Sequence, residues 1–297
     1  MSSVDIAAAA IKSLTSPAKK ILLVVESGMG RYEYVPIRVI EPAIKLGSEK
    51  TRTLTDLLVK EGFLTAVGSP YRGYALTFAG ADLLALNTLV EDGVLSAIGK
   101  PVGVGKESDV YDALLANGEV AAVKFHRIGR TSFRQTRRLR TYATGAKASW
   151  MVQSRRAASR EFEALKKLQA SNVSVPMPIS KTRHVVVMSA LGGRPLVEYK
   201  EAVTNELVKK VFEEVRKMYE AGVVHADLSE YNILVSDEGE VVLFDFPQWV
   251  PPDHRSAERY LCSDIRNLLR FFSKMGAQVP TLSSILSYVK GAKDELK

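Results

Sequence analysis

The 297-residue chain is 46% hydrophobic and 25% charged, the proportions of a globular protein with room for one or two buried cores and not those of a disordered one. A formal charge of +8 points to an acidic partner, and the single cysteine, Cys262, excludes an internal disulfide framework and a cysteine-built zinc cage, as suits the reducing cytoplasm. Asp5 and Lys12 interrupt what would be the apolar core of a signal peptide, and apolar runs such as Ile21 to Val25 fall far short of the ~20 residues that cross a bilayer, so a soluble protein without a membrane partner is expected.

Helical patterns dominate as far as Glu91. Ser16-Pro17 has the form of a helix start with proline in the first turn. Pro36 to Leu46 places Ile37, Ile40 and Ile44 at helical spacing, with Pro42 inside the run, and Ser48 through Glu61 puts Leu54, Leu57 and Leu58 on one face. GFLTAVGSPYRGYALTF then offers two short strands around a Gly-Ser-Pro turn, and Ala79 to Val90 is a further apolar helix. Three helices followed by a hairpin outline a winged helix, over residues 1–92 with its linker helix. The segment carries equal numbers of basic and acidic residues, so a packing or dimerisation domain without nucleic acid is the alternative; Lys50, Arg52 and Arg72 are the candidates for nucleic-acid contact.

From Ile98 the pattern turns to strand-like alternation, and a second domain over 93–297 is expected. GVGKESDV sits between apolar stretches, where dense glycine lets backbone amides approach an anion. Lys100 and Glu107 break a Walker A loop, and Ser108 with the strand-like run after it breaks a dinucleotide fingerprint. The glycine loop of protein kinases fits at Gly103, Gly105 and Val110, with Ser108 in place of the last glycine. VAAVKFHR next places Lys124 in a β run, and Glu161, on an amphipathic helix with Phe162, Leu165 and Leu168, is an acidic mate that would hold the ammonium on phosphates. Between residues 121 and 160 lie eleven basic side chains and no acid, and GRTSFRQTRRLRTYATGAK, with Arg137, Arg138 and Arg140, suits a loop that pairs with phosphate.

Further on, HADLSEYN spaces Asp227 and Asn232 as in a kinase catalytic loop, where the aspartate orients the attacking hydroxyl and the asparagine holds a metal. VVLFDFPQWV ends an apolar strand on Asp245, a costly place for a carboxylate unless it meets a cation. Each piece alone could be a cap or a turn. Glycine loop, strand lysine, helix glutamate, Asp-x4-Asn and strand-end aspartate in this order give a kinase-like ATP site.

GVGKESDVY, HADLSEYNILV and LFDFPQWV resemble the RIO family of atypical serine/threonine kinases, and YRGYALTFAGADLLAL and GRTSF are similar to its second, winged-helix-containing subfamily. The resemblance implies an α+β fold: a bilobal kinase-like domain with a truncated C-lobe, its N-lobe about 93–187, hinge 188–193 and C-lobe 194–297. It implies Gly103, Val104, Gly105, Lys106, Glu107 and Ser108 on the phosphates with Lys124, Glu161 pairing Lys124, Asp227 catalytic, and Asn232 and Asp245 on Mg²⁺ or Mn²⁺. In the hinge VMSALGG, Met188 would back the adenine pocket and the backbone of Ser189 and Leu191 would read the base. Ala226 and Ser229 stand where most kinases carry positive charge, and Pro247 replaces the last glycine of D-F-G, so no in-and-out flip of Asp245 is expected. The implied function is ATP-dependent phosphorylation or ATP hydrolysis in small ribosomal subunit maturation, with pre-ribosomal RNA and proteins as partners and Ser132 as an autophosphorylation candidate. An aminoglycoside-type small-molecule kinase and a non-enzymatic RNA-binding factor are the alternatives.

Overall fold

The computed structural model describes residues 1–129, 150–190, 192–199 and 203–295. The chain falls into two compact units: Met1–Pro101 with short later pieces, and Val102–Asp112, Val120–Ile128 and Ser154–Lys297.

In the first unit, α1 (Ser3–Ala10) starts on a capping box, Ser2 Oγ accepting from the Asp5 amide and Asp5 accepting from the Ser2 amide. Thr15 caps α2 (Ser16–Gly28), with Pro17 in the first turn. After β1 (Val35–Pro36), α3 (Ile37–Ile44) contains Pro42, which removes one backbone donor near the end of a short helix without breaking it; Lys45 then closes it in the left-handed region. Next come α4 (Ser48–Lys60), the hairpin β2 (Leu64–Val67) and β3 (Gly73–Leu76), and α5 (Phe78–Glu91). The sheet has the order β1-β3-β2, the three-helix-plus-hairpin outline of a winged helix with a two-residue third strand that the sequence pattern does not announce. A Cβ on Gly80 would stand 2.2 Å from the Phe63 carbonyl, so only glycine lets α5 lie against the hairpin. Ile21, Leu22, Val25, Ile40, Leu58, Leu64 and Leu83 fill this core.

The strands β4 (Leu95–Val104), β5 (Ser108–Leu115), β6 (Val120–His126), β7 (Pro178–Thr182) and β8 (Val185–Ser189) form a sheet of order β4-β5-β6-β8-β7, in which Lys124 of β6 faces Val186 of β8 across an antiparallel ladder. The helix that carries Glu161, α6 (Trp150–Ala170), begins well ahead of that residue, so Arg155 and Arg156 are helical together with Arg160. A small sheet of order β11-β10-β9 (Val241–Leu243, Ile233–Val235, Arg194–Pro195) and the helices α7 (Asn205–Glu220), α8 (Ala257–Lys274) and α9 (Leu282–Val289) lie within the second unit. Leu165, Val211, Phe212, Leu228, Phe246, Leu268 and Phe272 share one core. The pair Val223-Val224, strand-like in sequence, forms only an isolated bridge in which Val224 and Val250 exchange backbone bonds of 2.9 Å.

Candidate active site

Six of the seven residues of β6 are buried, because the strand is flanked by β5 and β8 and covered on both faces. Lys124, 5% exposed, therefore cannot send its ammonium to water and must find anions inside. It finds two: Glu161 Oε1 and Asp245 Oδ1, each 2.6 Å from Nζ. Burial alone would push the lysine pKa down and the glutamate pKa up. The opposite charges outweigh it, holding Lys124 above its ordinary value and Glu161 below the usual carboxylate range, so both stay charged. Glu161 is 1% exposed; its Oε1 also accepts from the Phe246 amide at 3.3 Å, and its Oε2 lies 2.8 Å from His126 Nε2, close enough for an ion pair but not aligned for a hydrogen bond.

Asp245 leaves β11 with φ +71° and Ala226 sits in the loop that carries Asp227 with φ +68°. Non-glycine residues enter the left-handed region at a cost and cluster at functional sites where surroundings over-determine them. Here the surroundings are visible. Asp264 of α8 accepts from the Ala226 and Leu228 amides, both at 2.9 Å, and Asn267 Nδ2 donates to the Leu228 carbonyl at 3.1 Å. Burial pushes the Asp264 pKa up to about 7 against the pull of those two amides. His225, buried and tilted against Phe246 with ring centroids 4.7 Å apart, is kept neutral by burial and places its Nε2–H on the Phe244 carbonyl at 3.1 Å. With both its neighbours fixed, Asp227 projects from a clamped loop. Burial raises its pKa, and the Asp245 charge adds to it.

Asn232 ends the single turn Glu230–Asn232; its Oδ1 accepts from Ser229 Oγ at 3.1 Å and its carbonyl from the Phe244 amide at 3.0 Å, which ties it to the strand end bearing Asp245. Ser229 thus orients Asn232. Asp245, with a 37% exposed side chain, spends one oxygen on Lys124 and keeps the other open. One amide oxygen and one carboxylate oxygen suit Mg²⁺, which holds few protein ligands and takes the rest from phosphate and water. No larger metal-ligating cluster exists among the described residues.

The β4–β5 turn is closed by Gly105 N–H donating to the Ser108 carbonyl at 2.8 Å, and a Cβ on Gly105 would crowd that oxygen at 3.1 Å. A Cβ on Gly103 would meet nothing within 4 Å, so the chain's own packing does not demand glycine there and the space is open to a ligand. Lys106 and Glu107 are exposed, Val104 is 69% exposed, Ser108 is half-buried and Val110 packs on the core. The Glu107 carbonyl accepts from the Arg127 amide at 2.6 Å, and the buried Arg127 guanidinium pairs Asp109 at 3.0 Å, anchoring the far side of the loop. Met188 is buried, and the Ser189 amide is committed to the Met177 carbonyl at 2.8 Å, which leaves it unable to donate to a base. Leu191 lies outside the described residues, as do Ser132, Arg137, Arg138 and Arg140.

Two further groups frame the site. Arg160, next to Glu161 on α6, donates from Nε to the Pro247 carbonyl at 3.0 Å and from Nη2 to the Trp249 carbonyl, while Trp249 Nε1–H donates to the Arg160 carbonyl at 2.8 Å. The guanidinium and Lys167 Nζ also stand 5.7 and 5.8 Å from the Trp249 ring. This reciprocal clasp ties the helix bearing Glu161 to the segment bearing Asp245.

Residues 109–285 match the family described as RIO domain, and residues 11–92 match that described as Rio2, N-terminal. The chain belongs to the RIO family. It is 43% identical over 253 residues to the RIO-type serine/threonine-protein kinase Rio2 of Methanocaldococcus jannaschii, covering 83% of this chain and 92% of that one. It is 31% identical over 301 residues to the serine/threonine-protein kinase RIO2 of Saccharomyces cerevisiae, covering 97% and 70%. The crystal structure of the Rio2 kinase-ADP/Mg²⁺-phosphoaspartate complex from Chaetomium thermophilum superposes with TM-score 0.77 at 30% identity, over 97% of this chain and 94% of that one. The second unit is thus the kinase unit of a RIO serine/threonine kinase of the Rio2 kind.

In this RIO chain the winged-helix candidates fare differently from one another. Arg52 Nε is held by Glu41 at 2.9 Å, and Arg72 donates to Asp56 and, at 2.7 Å, to the Tyr74 hydroxyl. Lys50 is exposed. Two of the three proposed contacts are therefore already neutralised within the unit. Sequence reasoning also passed over Asp264, Asn267, Arg160 and Trp249. The apolar spacing of α8 gives Asp264 away as an acid on the buried face; nothing local marks the clasp.

Proposed function

We propose that this RIO protein is an ATP- and Mg²⁺-dependent phosphotransferase acting in small ribosomal subunit maturation in the cytoplasm. The observation that carries the reading is Lys124 held in a buried position between Glu161 and Asp245, with an open oxygen on Asp245 and a clamped Asp227 beside it. Lys124 and the amides of Gly103 to Ser108 would bind the phosphates, and Asn232 and Asp245 would hold Mg²⁺, or Mn²⁺ in its place. The cation, when bound, neutralises charge on the transferring phosphoryl group. Asp227, its pKa raised by burial, orients the acceptor hydroxyl and takes its proton as the new P–O bond forms and the bond from the γ-phosphorus to the bridging oxygen breaks, releasing ADP. Met188 backs the adenine, with the Ser189 carbonyl as acceptor for its amino group.

The half-exposed Asp245 favours a second course at the same site: its free oxygen attacks the γ-phosphorus, ADP leaves, and water cleaves the acyl phosphate. A phosphoaspartate in the Chaetomium thermophilum relative supports it. Autophosphorylation of Ser132 and contact with pre-ribosomal RNA belong to the same proposal. Incubation with γ-labelled ATP should give a hydroxylamine-sensitive phosphoryl-enzyme that Asp245→Asn abolishes. Asp227→Ala purified from its own cells should co-sediment with immature small-subunit RNA. Absence of ATP turnover and of phosphoryl-enzyme in the wild type would refute the catalytic reading.

A further inference from the structure

The outer face of α8 is a continuous basic stripe. At 3.6 residues per turn, Arg259, Ser263, Arg266, Arg270, Ser273 and Lys274 fall within one third of the helix circumference, and all six are exposed. The opposite face, Leu261, Ile265, Leu268 and Phe272, is buried in the core. Solvated helix faces usually alternate charge, as α7 does with Lys209–Glu213 and Arg216–Glu220. This stripe holds no acid. The only exposed acid of α8, Glu258, points away from it and is taken by Lys290. None of Arg259, Arg266, Arg270 and Lys274 forms an ion pair among the described residues. Four like charges on one face repel one another, and each would be relieved by an external anion.

We propose that the outer face of α8 is an RNA-binding surface that reads the phosphate backbone. The four cations run along about 22 Å, with steps of about 6 to 10 Å, which matches a chain of closely spaced phosphates. Three of the four are arginines, whose planar forks bind phosphate oxygens two at a time, and the residues between them are serines able to donate to the same oxygens. A protein interface of this size would need an apolar centre, and a lipid surface would need exposed apolar side chains beside the charges; the stripe has neither. It has no exposed aromatic platform of the kind that stacks unpaired bases, so the contact is to backbone and independent of sequence. The inference rests on the function proposed above only in taking RNA as the polyanion. The flank of α8 carries Asp264 and Asn267, so the helix that would meet RNA is the one that fixes the catalytic loop.

The test uses the full chain and the triple variant Arg259→Gln, Arg266→Gln, Arg270→Gln, with Lys60→Gln, an exposed cation on α4, as control. Affinity for an RNA hairpin is measured across a salt series, beside a poly-glutamate peptide and phosphatidylserine vesicles. The magnitude of the log–log salt slope should fall by about 2 to 3 in the triple variant and by less than 1 in the control, with affinity at moderate salt reduced 10-fold or more. ATP turnover without RNA should stay at the wild-type level in both. An unchanged slope and affinity, or a loss confined to poly-glutamate or to vesicles, would overturn the proposal. The two readings fail separately: wild type without ATP turnover but with the slope change sinks the catalytic one, and normal turnover with an unchanged slope sinks this one.

Discussion

Two sets of cation–carboxylate pairs in the chain share a similar geometry in opposite surroundings. In the first unit, Arg52–Glu41, Arg72–Asp56 and Lys19–Glu91 lie at the surface, where water and salt screen them and each partner could separate at little cost. In the second, Lys124–Glu161–Asp245 lies where water is scarce, so the cation has two anions and both helix and strand end are drawn to it. Burial converts an ordinary ion pair into a fixture. A surface pair neutralises a side chain, whereas the buried triad defines where a phosphate could enter and share the lysine.

Removing the buried cation should give the largest effect. Lys124→Met leaves Glu161 inside without its principal partner, and breaking such a pair costs roughly 3–5 kcal/mol. The sign with pH is definite. In the wild type Glu161 has a depressed pKa, so its contribution is present above the ordinary carboxylate range and is lost as pH falls below it. In the variant, burial dominates, the Glu161 pKa rises, and the penalty shrinks as pH falls. Denaturant titrations at pH 8 and pH 5 should therefore show the variant closest to wild type at the lower pH, with phosphoryl transfer down by about 10²–10³-fold at either. A uniform gap across pH would mean that Glu161 is not the residue left stranded.

The clasp between Arg160 and Trp249 sharpens the same contrast, because it is an exposed contact placed beside the buried triad. If it holds Glu161 and Asp245 in register, Arg160→Ala should lower kcat by about 10-fold or more with little change in the KM for nucleotide, as expected for a small misplacement of reacting groups. Trp249→Phe, which keeps an aromatic, though smaller, ring and loses the Nε1–H donor, should fall between wild type and Arg160→Ala. Equal loss of thermal stability and activity in both would make the clasp merely structural.

Asp264 offers a smaller, pH-dependent effect. A carboxyl raised from an ordinary 3.8 to about 7 binds its proton more tightly in the folded state, so its contribution to stability declines as pH rises from about 4 to about 7. Asp264→Asn should remove that slope, and should lower activity at pH 8 because an amide cannot accept from both the Ala226 and Leu228 amides. A variant that keeps the wild-type pH slope would assign the titration to another group.

These residues also show what a sequence can and cannot display. Lys124 and Asp245 stood out because each is polar within a short apolar run, and a local run records the cost of burying charge; Asp227 and Asn232 stood out by their spacing in HADLSEYN. The winged helix was legible from its helix caps and its turn, apart from β1, whose two residues are too few to make a pattern. Asp264 meets Ala226 across 38 positions and Trp249 meets Arg160 across 89, distances over which periodicity carries no information. The pairing of Arg52 and Arg72 was hidden for the same reason: equal counts of acid and base in the first 92 residues do not say which arginine meets which carboxylate.

The smallest effect belongs to those surface pairs, and it bears on the proposed RNA surface. Arg72 is tied to Asp56 and Tyr74, and an arginine already carrying a carboxylate must give it up before it can take a phosphate. The exchange trades one screened interaction for another, so its net gain is small. Arg72→Gln and Arg52→Gln should change stability by no more than about 1 kcal/mol and leave the salt slope of RNA binding within 1 of wild type. Among the described residues the arginines of α8 have no carboxylate to surrender, Arg259 lying only over the Tyr260 ring at 5.1 Å. A slope loss from Arg72→Gln matching that of the α8 triple variant would place RNA on the winged helix and show that ion pairs at this surface are no barrier to a polyanion.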